Sequence, residues 1–127
     1  MSGELAAVAT EFVSALDSLD VDRMMERVAE NAQGVDEISR RWIRGKAEVD
    51  AYLRQLAGSV GDVRTELKEV NETVWGETGI LTCWLEQSYS MDGQAQQVTA
   101  PTTMVFHREG GDWKLSLFHS VPLPEQA

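Results

Sequence analysis

The chain has 127 residues, 43% hydrophobic and 25% charged, enough apolar material for one domain with its own core and too much for a disordered segment. Its formal net charge of -10 argues against a nucleic-acid or anionic-membrane partner, which would need a basic patch. Cys83 is the single cysteine, so no intramolecular disulfide can staple the fold, and among Leu81, Trp84 and Leu85 it reads as a buried, inert thiol.

In chain order, residues 4–19 carry Leu5, Val8, Phe12, Leu16 and Leu19 at spacings of three and four, the stripe of an amphipathic helix. No basic run followed by an apolar one precedes it, so no signal peptide is expected. Asp20 reads as the N-cap of a second short helix with Val21, Met24, Met25 and Val28 on its inner side. That helix is expected to fray near Asn31, where Gln33 and Gly34 open an extended piece. Residues 35–43, VDEISRRWI, read as two short strands or as a strand and an irregular turn, ending at Arg44-Gly45. Trp42 and Ile43 fall on opposite faces. Helical spacing returns over 46–57 through Val49, Tyr52, Leu53 and Leu56, and Gly58 and Gly61 stop it.

From there the chain is strand. Residues 63–75 hold Val63, Thr65 and Leu67 on one face and then shift phase at Glu69-Val70, which predicts a bulge and a bend. Residues 80–91 form a long strand with Leu81, Cys83, Leu85, Tyr89 and Met91 on one side. Asp92-Gly93 signals a hairpin. Pro101 removes a ladder donor from the following strand and belongs at a bulge or an unpaired position. Residues 102–107 and 113–120 pair across Gly110-Gly111, and simple alternation puts Trp113, Leu115, Leu117 and His119 on one face. Order is expected to end at Pro122 and Pro124. No apolar run nears the ~20 residues of a membrane span. The expectation is one soluble, cytoplasmic domain over 1–127. Its class is α+β, with helices at one end of the sequence and a meander after them. Long bent strands should curl round the helices and leave a cavity between the two layers.

The order of elements, the helix led by Asp20, the Arg44-Gly45-Lys46 lead-in to the third helix, and the ending Trp113-Lys114-Leu115…His119-Ser120 together resemble the NTF2-like superfamily, in its SnoaL-like and ketosteroid-isomerase-like branches. The resemblance covers residues 5–122. It implies a cone-shaped α+β fold with three N-terminal helices packed on a curved, mainly antiparallel sheet. It also implies a pocket inside the cone, and commonly a homodimer through the outer face of the sheet. The superfamily hosts isomerases, cyclases, dehydratases and non-catalytic binders, so the fold does not choose the activity.

Matched to the isomerase branch, whose mechanism uses a carboxylate base and two acidic hydrogen-bond donors, the base falls on Asp36. The donor tyrosine falls on Phe12 and the protonated aspartate on Thr102. The base position is kept and both donors are lost, which argues against steroid-isomerase chemistry by that route. Asp36 is therefore read as a general acid or base at the mouth of an apolar pocket, against the plainer reading of a surface carboxylate beside Glu37. His119 is read as its acid/base partner or polar anchor, against that of an imidazole satisfied by a carbonyl or by Ser120.

Trp42, Tyr52, Leu115 and Leu117 are expected to shape the pocket. Glu86, on the long strand, faces either the pocket or a dimer, with Arg41 or Arg44 as partner if it is buried. His107 reads as solvent-facing. Two histidines and one cysteine do not make a metal site, no phosphate-binding loop is present, and no cofactor is expected. The partner expected is a small, largely apolar organic molecule, bound with or without cofactor-free acid/base catalysis. The alternative is a non-catalytic binding or protein-interaction module.

Overall fold

The computed structural model describes residues 3–124; the expectation about where order ends concerns 125–127, which lie outside the described residues. The helices are α1 (Glu4–Asp17), α2 (Val21–Met25) and α3 (Lys46–Ala57). The strands are β1 (Val28–Asp36), β2 (Ile43–Arg44), β3 (Val60–Trp75), β4 (Thr78–Met91), β5 (Gln94–Glu109) and β6 (Asp112–Ser120). They form a curved sheet in the order β2-β1-β6-β5-β4-β3, antiparallel throughout except where β1 runs parallel to β6. The expected α+β architecture is present.

The stripe on α1 folds as its spacing requires. Leu5, Ala9, Phe12 and Val13 are buried against the sheet. Two contacts fix its start. Glu72 on β3 accepts a hydrogen bond from the Leu5 backbone N–H at 2.9 Å, satisfying one of the free donors of a helix N-terminus. Gly79 on β4 leaves room for the Leu5 side chain, since a Cβ there would lie 2.6 Å from Leu5 Cδ1.

Asp20 caps α2 as expected, accepting from the Arg23 N–H at 3.2 Å, but this helix is shorter than its apolar spacing suggests. It ends at Met25, and Val28 already belongs to β1 beside Leu115. So short a helix contributes little of its own stability, and pairing with β6 decides the conformation of Val28–Asp36.

Among the long strands, β3 breaks register with β4 between Lys68 and Asn71, and Glu69 adopts a φ of 53°. This is the bulge expected at Glu69-Val70. Asp92 and Gly93 both have positive φ in the β4–β5 hairpin, as a tight two-residue turn demands. Pro101 pairs with Trp84 on β4, while the ladder to β6 begins one residue later at Thr102, so it costs no bond on that side.

The last strand departs from simple alternation. Register between β5 and β6 shifts where Val105 pairs with Leu117 and Phe106 with Leu115, leaving Ser116 as the extra residue of a bulge. Trp113 and Leu115 are buried on the helix side, after which Phe118 and Ser120, rather than Leu117 and His119, face inward. The single wall expected from Trp113 to His119 is split in two.

Candidate functional site

The main cavity lies between α1, α3, β1 and β6. Its volume is about 80 Å³, and its walls are almost wholly apolar: Phe12 and Leu16 from α1, Leu53 and Leu56 from α3, and Leu115 and Phe118 from β6. Apart from Gln33, the polar residues of the lining cluster at the end of β1, where Asp36 and Ser39 meet Tyr52 of α3.

Asp36 is held by the turn that follows it. Its Oδ1 accepts from the backbone N–H groups of Ile38 at 3.0 Å and Ser39 at 2.7 Å, and the Ser39 hydroxyl accepts from the Asp36 N–H at 3.0 Å. This reciprocal capping is what Asp and Ser offer at turns. The Tyr52 hydroxyl, one turn and a half into α3, donates to Oδ1 at 2.8 Å and also approaches Oδ2 at 3.0 Å. With three donors on Oδ1, Oδ2 is the oxygen with capacity left for a ligand. The phenol of Tyr52 is raised well above its usual range by burial first and then by the charge and hydrogen bond of Asp36. Tyr52 is thus fixed as a neutral donor that orients the carboxylate.

A second, smaller cavity of about 40 Å³ adjoins the first, sharing Leu16, Asp36, Leu56 and Phe118 in its lining and adding Glu37, Gln87, Tyr89 and Ser120. Glu37 is half-buried, and its carboxyl is pushed up to about 7, chiefly by burial. Its own backbone N–H bond opposes the rise and the neighbouring Asp36 charge adds to it. Burial, with Glu37 and Asp36, also raises the Tyr89 phenol. Sequence reasoning saw Glu37 only as an acidic neighbour of Asp36. Strand alternation would send 36 and 37 to opposite faces, but β1 ends at Asp36 and residues 37–39 turn, so both carboxylates can face the interior.

Of the residues singled out from sequence, Phe12, Asp36, Tyr52 and Leu115 line the main cavity. Five do not. Leu117 and His119 lie on the outer face of the sheet because of the bulge at Ser116. Asp36 and His119 are strand neighbours on β1 and β6, with Ser120 opposite Asp36, but they serve opposite faces. Trp42 precedes the two-residue strand β2 and is 41% exposed, with its ring centroid 5.8 Å from that of His119 and the Arg44 guanidinium 5.5 Å from its own.

Thr102 is buried but committed elsewhere: its hydroxyl donates to the Ala100 carbonyl at 3.1 Å or shares a 2.8 Å hydrogen bond with Ser120. Glu86 faces outward and pairs with Lys68 at 3.0 Å, both side chains well exposed, so neither Arg41 nor Arg44 is needed as its partner. Cys83 is buried, and burial raises its thiol, in keeping with an inert role. No cluster of ligands able to hold a metal ion occurs among the described residues, and no helix there is long and apolar enough to cross a membrane.

Comparison with solved structures finds the same fold repeatedly. A proposed dehydratase of the NTF2-like family from Streptomyces avermitilis superposes with a TM-score of 0.87 at 19% identity, covering 96% of each chain. A proposed aromatic ring hydroxylase from Novosphingobium aromaticivorans superposes at 0.88 with 17% identity, over 96% of this chain and 88% of that one. A ketosteroid isomerase-like protein from Erwinia carotovora atroseptica gives 0.81 at 17% identity, over 98% of this chain and 100% of that one. At such identities the likeness carries the fold and not the activity. Comparison with curated protein sequences finds no match. The SnoaL-like domain family matches residues 5–124, nearly the whole length and every element of the cone, and the chain belongs to that family.

Proposed function

We propose that this protein binds a small, largely apolar organic molecule in the main cavity and presents Asp36 to it for cofactor-free proton transfer, of the kind used in isomerisation, cyclisation or dehydration. One observation carries the reading. A carboxylate sits in a lining that is apolar but for Gln33, Ser39 and Tyr52, held at Oδ1 by Tyr52 and two backbone N–H groups while Oδ2 accepts from Tyr52 alone. An oriented carboxylate in an apolar cavity is the arrangement that general acid/base catalysis requires. His119 is on the outer face, so in the main cavity itself the titratable groups are Asp36 with Tyr52 behind it.

A second reading, binding without turnover, is favoured by one specific feature. Where the isomerase branch carries acidic donors, Phe12 has none and the Thr102 hydroxyl is engaged with Ala100 and Ser120. Deuterium uptake next to the carbonyl of benzylacetone in heavy water separates the two. Under the catalytic reading the protein accelerates uptake, and Asp36→Asn reduces the protein-dependent rate by roughly 100-fold or more. Cavity-localised NMR shifts with no acceleration support the binder and end the catalytic reading.

The outer face of the sheet supports a proposed homodimer. A shallow hollow there is bordered by Trp84, His119, Val121 and Leu123, and the last two are 38% and 63% exposed.

A further inference from the structure

The second cavity is too small to hold an organic molecule alone. At about 40 Å³ it has room for little more than one water or one small functional group. It shares Leu16, Asp36, Leu56 and Phe118 with the main cavity, so the two spaces lie side by side and a ligand that reaches both must displace the apolar side chains between them. Its polar residues are largely spoken for. Gln87 donates to Thr65 at 3.0 Å, Ser120 is bonded to Thr102, and Asp36 is bonded to Tyr52 and the turn. Among the described residues this leaves Glu37 and Tyr89 as the polar groups of that lining without a side-chain partner.

We propose that this compartment receives the carbonyl oxygen of a ligand whose apolar body fills the main cavity, with the Glu37 carboxyl donating the hydrogen bond. The inference rests on the ligand-binding reading above and adds the site and chemistry of the polar end. The groups facing Glu37 decide the charge of that end. Asp36 on its own segment is acidic, and Tyr52 from α3 and Tyr89 from β4 are phenols. The contributions of α1, β3 and β6, namely Leu16, Val63, Phe118 and Ser120, carry no charge. An anionic head group would meet the Asp36 carboxylate with no cation in the lining. A neutral acceptor meets no such penalty, and a carboxyl whose pKa lies near 7 still supplies a proton to hydrogen-bond it at neutral pH.

The test uses the full chain and two probes, benzylacetone and its hydrocarbon counterpart n-butylbenzene, with affinities read by NMR titration. Benzylacetone is expected to bind Glu37→Leu about tenfold more weakly than wild type while n-butylbenzene is held equally by both. Wild-type affinity for benzylacetone is expected to fall about tenfold between about pH 6 and about pH 8, as Glu37 loses its proton. Glu37→Gln, whose amide donates without titrating, is expected to keep the affinity and lose the pH dependence. Unchanged benzylacetone affinity in Glu37→Leu, or a wild-type affinity that does not fall between about pH 6 and about pH 8, overturns the proposal but leaves the main cavity as a ligand site. Binding of neither probe to wild type overturns both.

Discussion

At the scale of single residues, Glu37 and Tyr52 make the site testable without knowledge of a ligand. A carboxyl held near 7 in the folded chain stays protonated while the unfolded chain ionises it near its ordinary value of 4.5. The folded state therefore binds more protons through that window, and stability falls as pH rises from about 4.5 to about 7, then levels off. Because Glu37 is partly open to solvent, the loss is of order 1–2 kcal/mol. Unfolding free energies of wild type and Glu37→Gln from urea titrations should differ by that much more at about pH 8 than at about pH 5, and parallel pH dependences would place Glu37 in water. Tyr52→Phe removes the donor to Asp36 and should cost about 1.5–3 kcal/mol, a bond to a charged group being worth that much. A cost below about 0.5 kcal/mol would mean that the turn alone holds the carboxylate.

Among the elements, β6 decides which residues meet the cavity. One extra residue at Ser116 reverses the facing of everything after it, bringing Phe118 and Ser120 inward and sending Leu117 and His119 out. A pair of truncations reads this directly. Leu115→Ala, in the buried lining, should destabilise by about 2–5 kcal/mol. Leu117→Ala should cost under about 1 kcal/mol at protein concentrations where the chain is monomeric. Equal costs would contradict the bulge. The turn at 37–39 acts in the same way on a smaller scale, since ending β1 at Asp36 is what lets two consecutive carboxyl groups face one interior.

For the whole molecule, charge and the outer face bear on the proposed homodimer. Two copies of a chain with net charge -10 repel one another, so a homodimer through the outer face must draw on apolar contact at Leu117, Val121 and Leu123 and should tighten as salt screens the repulsion. Sedimentation equilibrium is expected to show a dimer at micromolar concentration that strengthens with added salt and dissociates in Leu117→Glu. A monomer at all salt concentrations would remove the dimer.

Much of the fold was legible in the sequence because its signals are local. The three-and-four spacing of Leu5, Phe12 and Leu16, the cap at Asp20, the phase shift at Glu69 and the glycine-bearing hairpins each specify backbone geometry within a few residues, and each is present. The resemblance carried by the order of these elements likewise led to the SnoaL-like family. Tertiary structure decided the rest. The end of α2 depended on β6 pairing with Val28, and the facing of Leu117 and His119 depended on register with β5. Glu86 found Lys68 across the strands, a partner set by sheet order. Glu37 became an interior carboxyl only because α3 and β4 close over a turn. Periodicity constrains a segment against its own axis; which side of that axis is covered, and by what, depends on chain brought from tens of residues away.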